Sequence, residues 1–163
     1  MSSMRQFTDA FGNGVKLVLG IEPAFTQTPG HVLVLTRFNR EWVLTSHQER
    51  GYEFPGGKVE AGEQAEEAAA REVWEETGGI TNHLVYIGQY QVTLNSGKTF
   101  WKTIFAAELE DIKDRKSYEE TNGPVLFQEL PVAITADDRF SFIMKDDVVP
   151  MAVSFAIEQG LFK

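Results

Sequence analysis

Between Glu53 and Glu76 the chain sets eight acids against two bases, Lys58 and Arg71, so this stretch carries −6 of a formal net charge of −9. Such a density constrains the fold, because carboxylates crowded on a helix repel one another unless something positive stands among them. On a helix Glu72, Glu75 and Glu76 project within roughly 100° of one another, and Ala65, Ala68 and Ala69 share that side. The alanines let a loop or strand approach closely, which puts the acids beside packed structure. Like charges at this spacing cost a few tenths of a kcal/mol per pair when exposed and more when desolvated. A divalent cation reverses the sign, and oxygen-only ligation suits Mg²⁺, with Mn²⁺ as an alternative. A Glu-rich helix can also be a plain solvated face. The preceding Phe54-Pro55-Gly56-Gly57-Lys58 weighs against that: glycine lets backbone approach a ligand without a Cβ in the way, and Lys58 offers a point charge to phosphate.

Composition narrows the chemistry further. The chain has no cysteine and three histidines, His31, His47 and His83, which removes disulfides and thiolate sites and disfavours zinc. A net charge of −9 argues against a broad basic surface for duplex nucleic acid. No apolar run approaches the roughly 20 residues of a membrane span, and Met1 to Gln6 lacks the pattern of a secretory leader. A soluble, cytoplasmic protein is expected.

With 163 residues and no repeat or linker, one α+β domain over 1–163 is expected. Segments rich in β-branched and aromatic residues predict strands at Val15–Leu19, His31–Thr36, Trp42–Thr45, Leu84–Leu94, Thr99–Leu109 and Val125–Gln128, in a largely antiparallel or mixed sheet. Two helices are predicted, Gln64–Thr77 ending at Gly78-Gly79, and Val148–Gln159 with Asp147 as N-cap, Pro150 in the first turn and Gly160 in the left-handed position after the end. Gln64 is a poor cap, so the entry to the first helix is expected to be set by the loop before it.

Gly57, Glu63, Arg71-Glu72-Val73, Glu75-Glu76 and Gly78 match the pattern G-x5-E-x7-R-E-U-x-E-E-x-G-U, and here the chain resembles the Nudix hydrolases. The one departure is Gly79, where the pattern has an aliphatic residue, and Ile80 is expected to fill that pocket. The resemblance implies a mixed β-sheet sandwiched between helices and magnesium-dependent cleavage of a phosphoanhydride in a nucleoside diphosphate derivative. It further implies Glu75, Glu76 and the Gly56 carbonyl as metal ligands, Glu72 as ligand or water-activating base, and Lys58 as electrostatic support. Arg71 would orient the box carboxylates, or simply pair with Glu67 at i,i+4; Glu63 would be an accessory acid or an anchor for the helix entry.

Outside the box, Glu120 in Ser117–Gly123 is the first choice for a further acid. Phe140–Phe142 with Lys145 could cradle a base or phosphate; core packing is the favoured reading for Phe140 and Phe142, while Lys145 is the better substrate contact. From Arg50 to Gly57, Gly123 to Phe127 and Phe140 to Asp146 the chain is similar to MutT-like Nudix hydrolases of Bacillus-type bacteria, the YtkD group among them. That similarity points to nucleoside triphosphates such as 8-oxo-dGTP, or to the 5′-triphosphate end of RNA. Two other classes stand behind these. A non-catalytic nucleotide-binding module conflicts with the intact acids, and an isomerase of the same fold would use a cysteine.

Overall fold

The computed structural model describes residues 4–162; Met1 to Ser3, part of the segment read above for a leader, lie outside the described residues. Ten strands and two α-helices follow in the order β1 (Arg5–Thr8), β2 (Gly14–Leu19), β3 (His31–Phe38), β4 (Glu41–His47), β5 (Gly51–Glu53), β6 (Gly56–Lys58), α1 (Ala65–Thr77), β7 (Gly79–Thr81), β8 (Val85–Thr93), β9 (Thr99–Ile112), β10 (Thr121–Phe127) and α2 (Val148–Glu158). The main sheet runs β1-β2-β8-β9-β3-β4-β10, with β5, β6 and β7 attached to β4, β3 and β9. Every pairing is antiparallel except β3 with β9, so the sheet is mixed.

Alternation along the central strands explains the layering. Val32 and Val34 of β3 and Phe105, Ala107 and Leu109 of β9 pack with Ala68, Ala69 and Val73 of α1. Leu33 and Leu35, with Ile104 and Ala106, face the other way and pack with Val148, Val149, Ala152 and Ala156 of α2. The two helices therefore cover opposite faces, as the sandwich expectation required. Burying a side chain such as Val73 completely contributes about 1.5–3 kcal/mol.

All six predicted strands form. β1, β5, β6 and β7 go unpredicted because each has only three or four residues and the last three contain glycine, which carries no strand signal. At the start of α1 the Glu67 side chain accepts the Gln64 N–H at 2.9 Å, half of a capping box, while Glu63 accepts from Glu60 in the loop before it. Entry is thus set locally as well as by the loop, which corrects the expectation from Gln64. For α2 the capping acid is Asp146, whose Oδ1 accepts the Val148 N–H at 2.9 Å, and not Asp147, which already has helical backbone angles. Gly160 does adopt positive φ. At Gly79 the space for an aliphatic side chain is taken by Leu109, whose Cδ1 lies 2.7 Å from where a Cβ would stand; Ile80 is half-buried. No helix among the described residues is long and apolar enough to cross a membrane.

Candidate active site

The box folds as strand, loop and helix. β6 pairs with β3, and α1 packs its alanine face on the same sheet, so the glycine turn and the acid face are brought together. Closeness here depends on glycine. A Cβ on Gly56 would stand 2.4 Å from the Val32 carbonyl oxygen, and one on Gly57 would stand 2.7 Å from the Glu72 carboxylate carbon. The last turn of α1 is pinned to the sheet: Thr45 Oγ1 and Thr121 Oγ1 donate to the Glu76 carbonyl at 2.9 and 3.2 Å. Gly78, left-handed at φ 75°, ends the helix.

Arg71 organises the acids. Its guanidinium donates to both oxygens of Glu63 at 2.8 and 3.0 Å, to Glu72 at 2.7 Å, to both oxygens of Glu75 at 3.3 Å and to the Lys58 carbonyl at 3.0 Å. Glu67 takes no part, since it caps the helix, so the i,i+4 pair of Arg71 is with Glu75 and not with Glu67. Glu63 is held down to about 2 by this fork, with the Glu60 N–H adding to it. Its lone pairs are committed to Arg71 and to the Glu60 N–H.

Glu76 is almost fully buried, and its Oε1 accepts the Gly56 N–H at 2.9 Å. Burial, with Glu72 and Glu53 nearby, nevertheless pushes its pKa up to about 8. Burial also pushes Glu72 up to about 7, against the opposing pull of Arg71. Both shifts describe buried acids whose desolvation outweighs the pull of Arg71 on Glu72 and of Arg50 on Glu76. Among the described residues no three acid or histidine side chains converge as a ready-made metal site, because Arg71 and the Gly56 N–H already occupy Glu72, Glu75 and Glu76. The donors are nonetheless all oxygen, and the cluster is short of positive charge, which fits a hard divalent ion.

These groups line one cavity of about 680 Å³. Gly56, Gly57, Lys58, Arg71, Glu72, Glu75, Glu76, Glu120 and Phe142 all border it; Glu63 and Lys145 do not. The Glu120 side chain is largely exposed, and its carboxylate lies 4.0 Å from His47 Nε2. Phe140 belongs to the core, whereas Phe142 is 37% exposed, packs against Phe11 with ring centres 4.9 Å apart and planes tilted by 53°, and faces Arg50 at 5.9 Å. The core reading therefore holds for Phe140 alone. Lys145 turns toward Asp138, 3.7 Å away, which removes it from the cavity wall.

Several lining residues escaped the sequence reading, Glu53, His31, Phe100 and Lys102 among them. Buried Glu53 binds Arg50 at 2.8 and 3.2 Å. His31, Phe100 and Lys102 form the floor, with the His31 and Phe100 rings 5.1 Å apart. Lys102 and Phe100 occupy the same phase of β9 as Ile104 and Ala106, so a lysine at an inward position was the available signal.

The NUDIX domain model matches residues 25–139, which contain every box residue described above. The chain belongs to the Nudix hydrolase family. Along 96% of its length this Nudix hydrolase is 48% identical to YtkD of Bacillus subtilis (strain 168), named as a candidate 8-oxo-dGTP diphosphatase, and it covers 98% of that protein. It superposes on the crystal structure of the Bacillus subtilis pyrophosphohydrolase BsRppH with a TM-score of 0.93 at 47% identity, over 98% of this chain and all of the other. A Nudix hydrolase from Nitrosomonas europaea shares the fold with a TM-score of 0.62 at 21% identity, over 81% of this chain and 90% of that one.

Proposed function

We propose that this Nudix hydrolase is a pyrophosphohydrolase of nucleoside triphosphates, MutT-like in its choice of substrate, with 8-oxo-dGTP among the candidates and Mg²⁺ as its ion, replaceable by Mn²⁺. The observation that carries this reading is the composition of one cavity, in which Glu72, Glu75 and Glu76 share walls with Lys58, Lys102, His31 and Phe100. Acids that need a cation, bases that suit phosphate and a ring that suits a base are the three requirements of a nucleotide triphosphate. The names of YtkD and BsRppH support the same class of reaction.

Glu75, Glu76 and the Gly56 carbonyl are assigned to the ion, with Glu72 beside them. The ion, when bound, would neutralise phosphoryl oxygens and lower the pKa of an attacking water. Glu72, with a pKa near 7 in the unliganded pocket, takes the proton as water attacks phosphorus in line. Arg71 holds Glu72 and Glu75 in position, and Lys58 adds positive charge at the phosphates.

A second reading, the 5′-triphosphate end of RNA, is favoured by one observation. Phe11, 63% exposed on the β1–β2 turn, extends the Phe142 ring outward from the cavity and offers stacking surface beyond a mononucleotide. The negative net charge leaves no track for a long strand. The test compares kcat/KM for a free nucleoside triphosphate, a 5′-triphosphate dinucleotide and a longer single-stranded RNA, each with Mg²⁺ and with excess chelator. Turnover of the free triphosphate with no gain at the dinucleotide supports nucleotide hydrolysis; a gain of tenfold or more followed by a plateau supports the RNA end. Full turnover in chelator refutes both assignments of the acids.

A further inference from the structure

Lys102 stands out among the cavity residues to which the proposed chemistry gives no step. It enters from near the start of β9, where its in-phase neighbours Ile104 and Ala106 are core, and its ammonium sits 5.7 Å above the centre of the Tyr90 ring. Among the described residues no carboxylate lies within 4.0 Å of it; Asp146 and Glu53 act on it only from farther away. A half-buried cation in a cavity wall, with no counter-charge in contact, is costly to desolvate. Its pKa is lowered accordingly, with burial the main cause.

A second group in the same floor is also incomplete. On His31, Nδ1 is buried and has no hydrogen-bond partner. Burial, with Lys102 and Lys58 nearby, lowers the pKa of this imidazole and favours its neutral form, which can give one hydrogen bond and accept another. The ring lies against Phe100 at an interplanar angle of 50°, so the unpaired nitrogen belongs to a cluster of two tilted aromatic rings.

We infer that His31, Phe100 and Lys102 form the subsite for the part of the nucleotide that lies beyond the metal-bound phosphates, Lys102 binding an anionic phosphoryl oxygen and the His31–Phe100 pair receiving the nucleoside. This inference rests on the nucleoside triphosphate reading and specifies which residues hold the substrate. A substrate phosphate supplies the counter-charge that Lys102 lacks, and a nucleoside polar atom supplies the partner that His31 Nδ1 lacks. Both unmet requirements are answered by one ligand. Phe100 adds a face on which a base stacks.

The test measures binding by calorimetry in a Glu72→Gln background, where turnover is suppressed, using ATP, GTP and inorganic tripolyphosphate with Mg²⁺. Lys102→Met is expected to weaken all three by tenfold or more, which is about 1.4 kcal/mol, while Lys102→Arg keeps affinity within about threefold. His31→Phe preserves an aromatic ring and removes both nitrogens; it is expected to weaken the nucleotides and to spare tripolyphosphate. The melting temperature of unliganded Lys102→Met separates binding from architecture, since a cation without a partner gives way to an apolar chain and stability should hold or rise. Unchanged affinity in Lys102→Met overturns the inference, as does weaker binding that comes with a lower melting temperature. If the Glu72→Gln parent binds no nucleotide, the triphosphate reading fails and this subsite with it. Nucleotide binding that survives both substitutions refutes the subsite alone.

Discussion

Replacing Glu76 by Gln should stabilise the metal-free protein at alkaline pH even as it damages the site. Glu76 is 6% exposed, and its pKa rises from 4.5 to about 8 on folding. The direction is opposite to that of a salt-bridged acid. The folded state prefers the neutral form, so the favourable contribution is complete below pH 4.5 and is lost as pH rises through about 8. A difference of about 3.5 units corresponds to roughly 5 kcal/mol at high pH. Glu72 titrates in the same crowd of charges, so the two rises share one cause and do not add; about 2–3 kcal/mol is the expected gain from removing the Glu76 charge. Glutamine keeps an oxygen to accept the Gly56 N–H, which limits other losses. For a chain of this length the gain corresponds to about 5–10 °C in melting temperature. Calorimetric melting of both proteins in EDTA, at pH 5 and pH 9, tests this directly. The variant should melt higher at pH 9, with the gap closing toward pH 5, and excess Mg²⁺ should raise the wild type more than the variant. A variant less stable than wild type at pH 9, or a gap independent of pH, would refute the account of Glu76 as a buried, undercompensated acid.

Three further substitutions test the remaining roles. Glu72→Gln should lower kcat by about 10²–10⁴-fold with an unchanged circular dichroism spectrum, as loss of a proton acceptor or ligand requires; an unaltered kcat places the base elsewhere. Glu120→Gln should slow turnover less than Glu72→Gln does, because the Glu120 side chain is largely exposed and its carboxylate reaches His47 at no closer than 4.0 Å; abolished turnover would make Glu120 the base. Gly57→Ala would drive a methyl group to within 2.7 Å of the Glu72 carboxyl carbon, the movable end of a side chain, so kcat should fall about tenfold or more while the melting temperature moves by about 2 °C or less. Equal losses of stability and activity would show that Gly57 serves the backbone rather than the carboxylate.

How much of this molecule was readable in the sequence depended on whether the information lay along the chain or across it. The acid face of α1 was legible because helical periodicity turns the spacing of Glu72, Glu75 and Glu76 into an angle without any knowledge of the sheet. The six longer strands were legible for a similar reason, each carrying its own run of β-branched and aromatic residues. β5, β6 and β7 exist only because β4, β3 and β9 have stretches that their neighbours in the main sheet leave unpaired, and nothing within Gly51–Glu53, Gly56–Lys58 or Gly79–Thr81 announces such a stretch elsewhere. The same distinction separates Arg71–Glu75, four residues apart on one helix, from Arg71–Glu63, which depends on how the loop folds back.

The floor of the cavity shows where a local reading could have gone further. In β9, residues 100, 102, 104 and 106 share one face, and on that face Ile104 and Ala106 are core. A lysine on an inward face either snorkels to solvent or meets an anion, and an aromatic beside it at position 100 argues against a purely solvated end. What the strand alone could not supply was its neighbour: the parallel pairing with β3 sets His31 opposite Lys102, with the next inward residue of β3 being Leu33. Because this is the one parallel pairing of the sheet, neither hairpin length nor turn chemistry predicts its register, and the register is what places His31 and Lys102 on one floor facing the acids of α1. The acid cluster of the cavity is therefore written in one helix, while the half proposed to hold the substrate is written in the phase of two strands that meet only in the folded sheet.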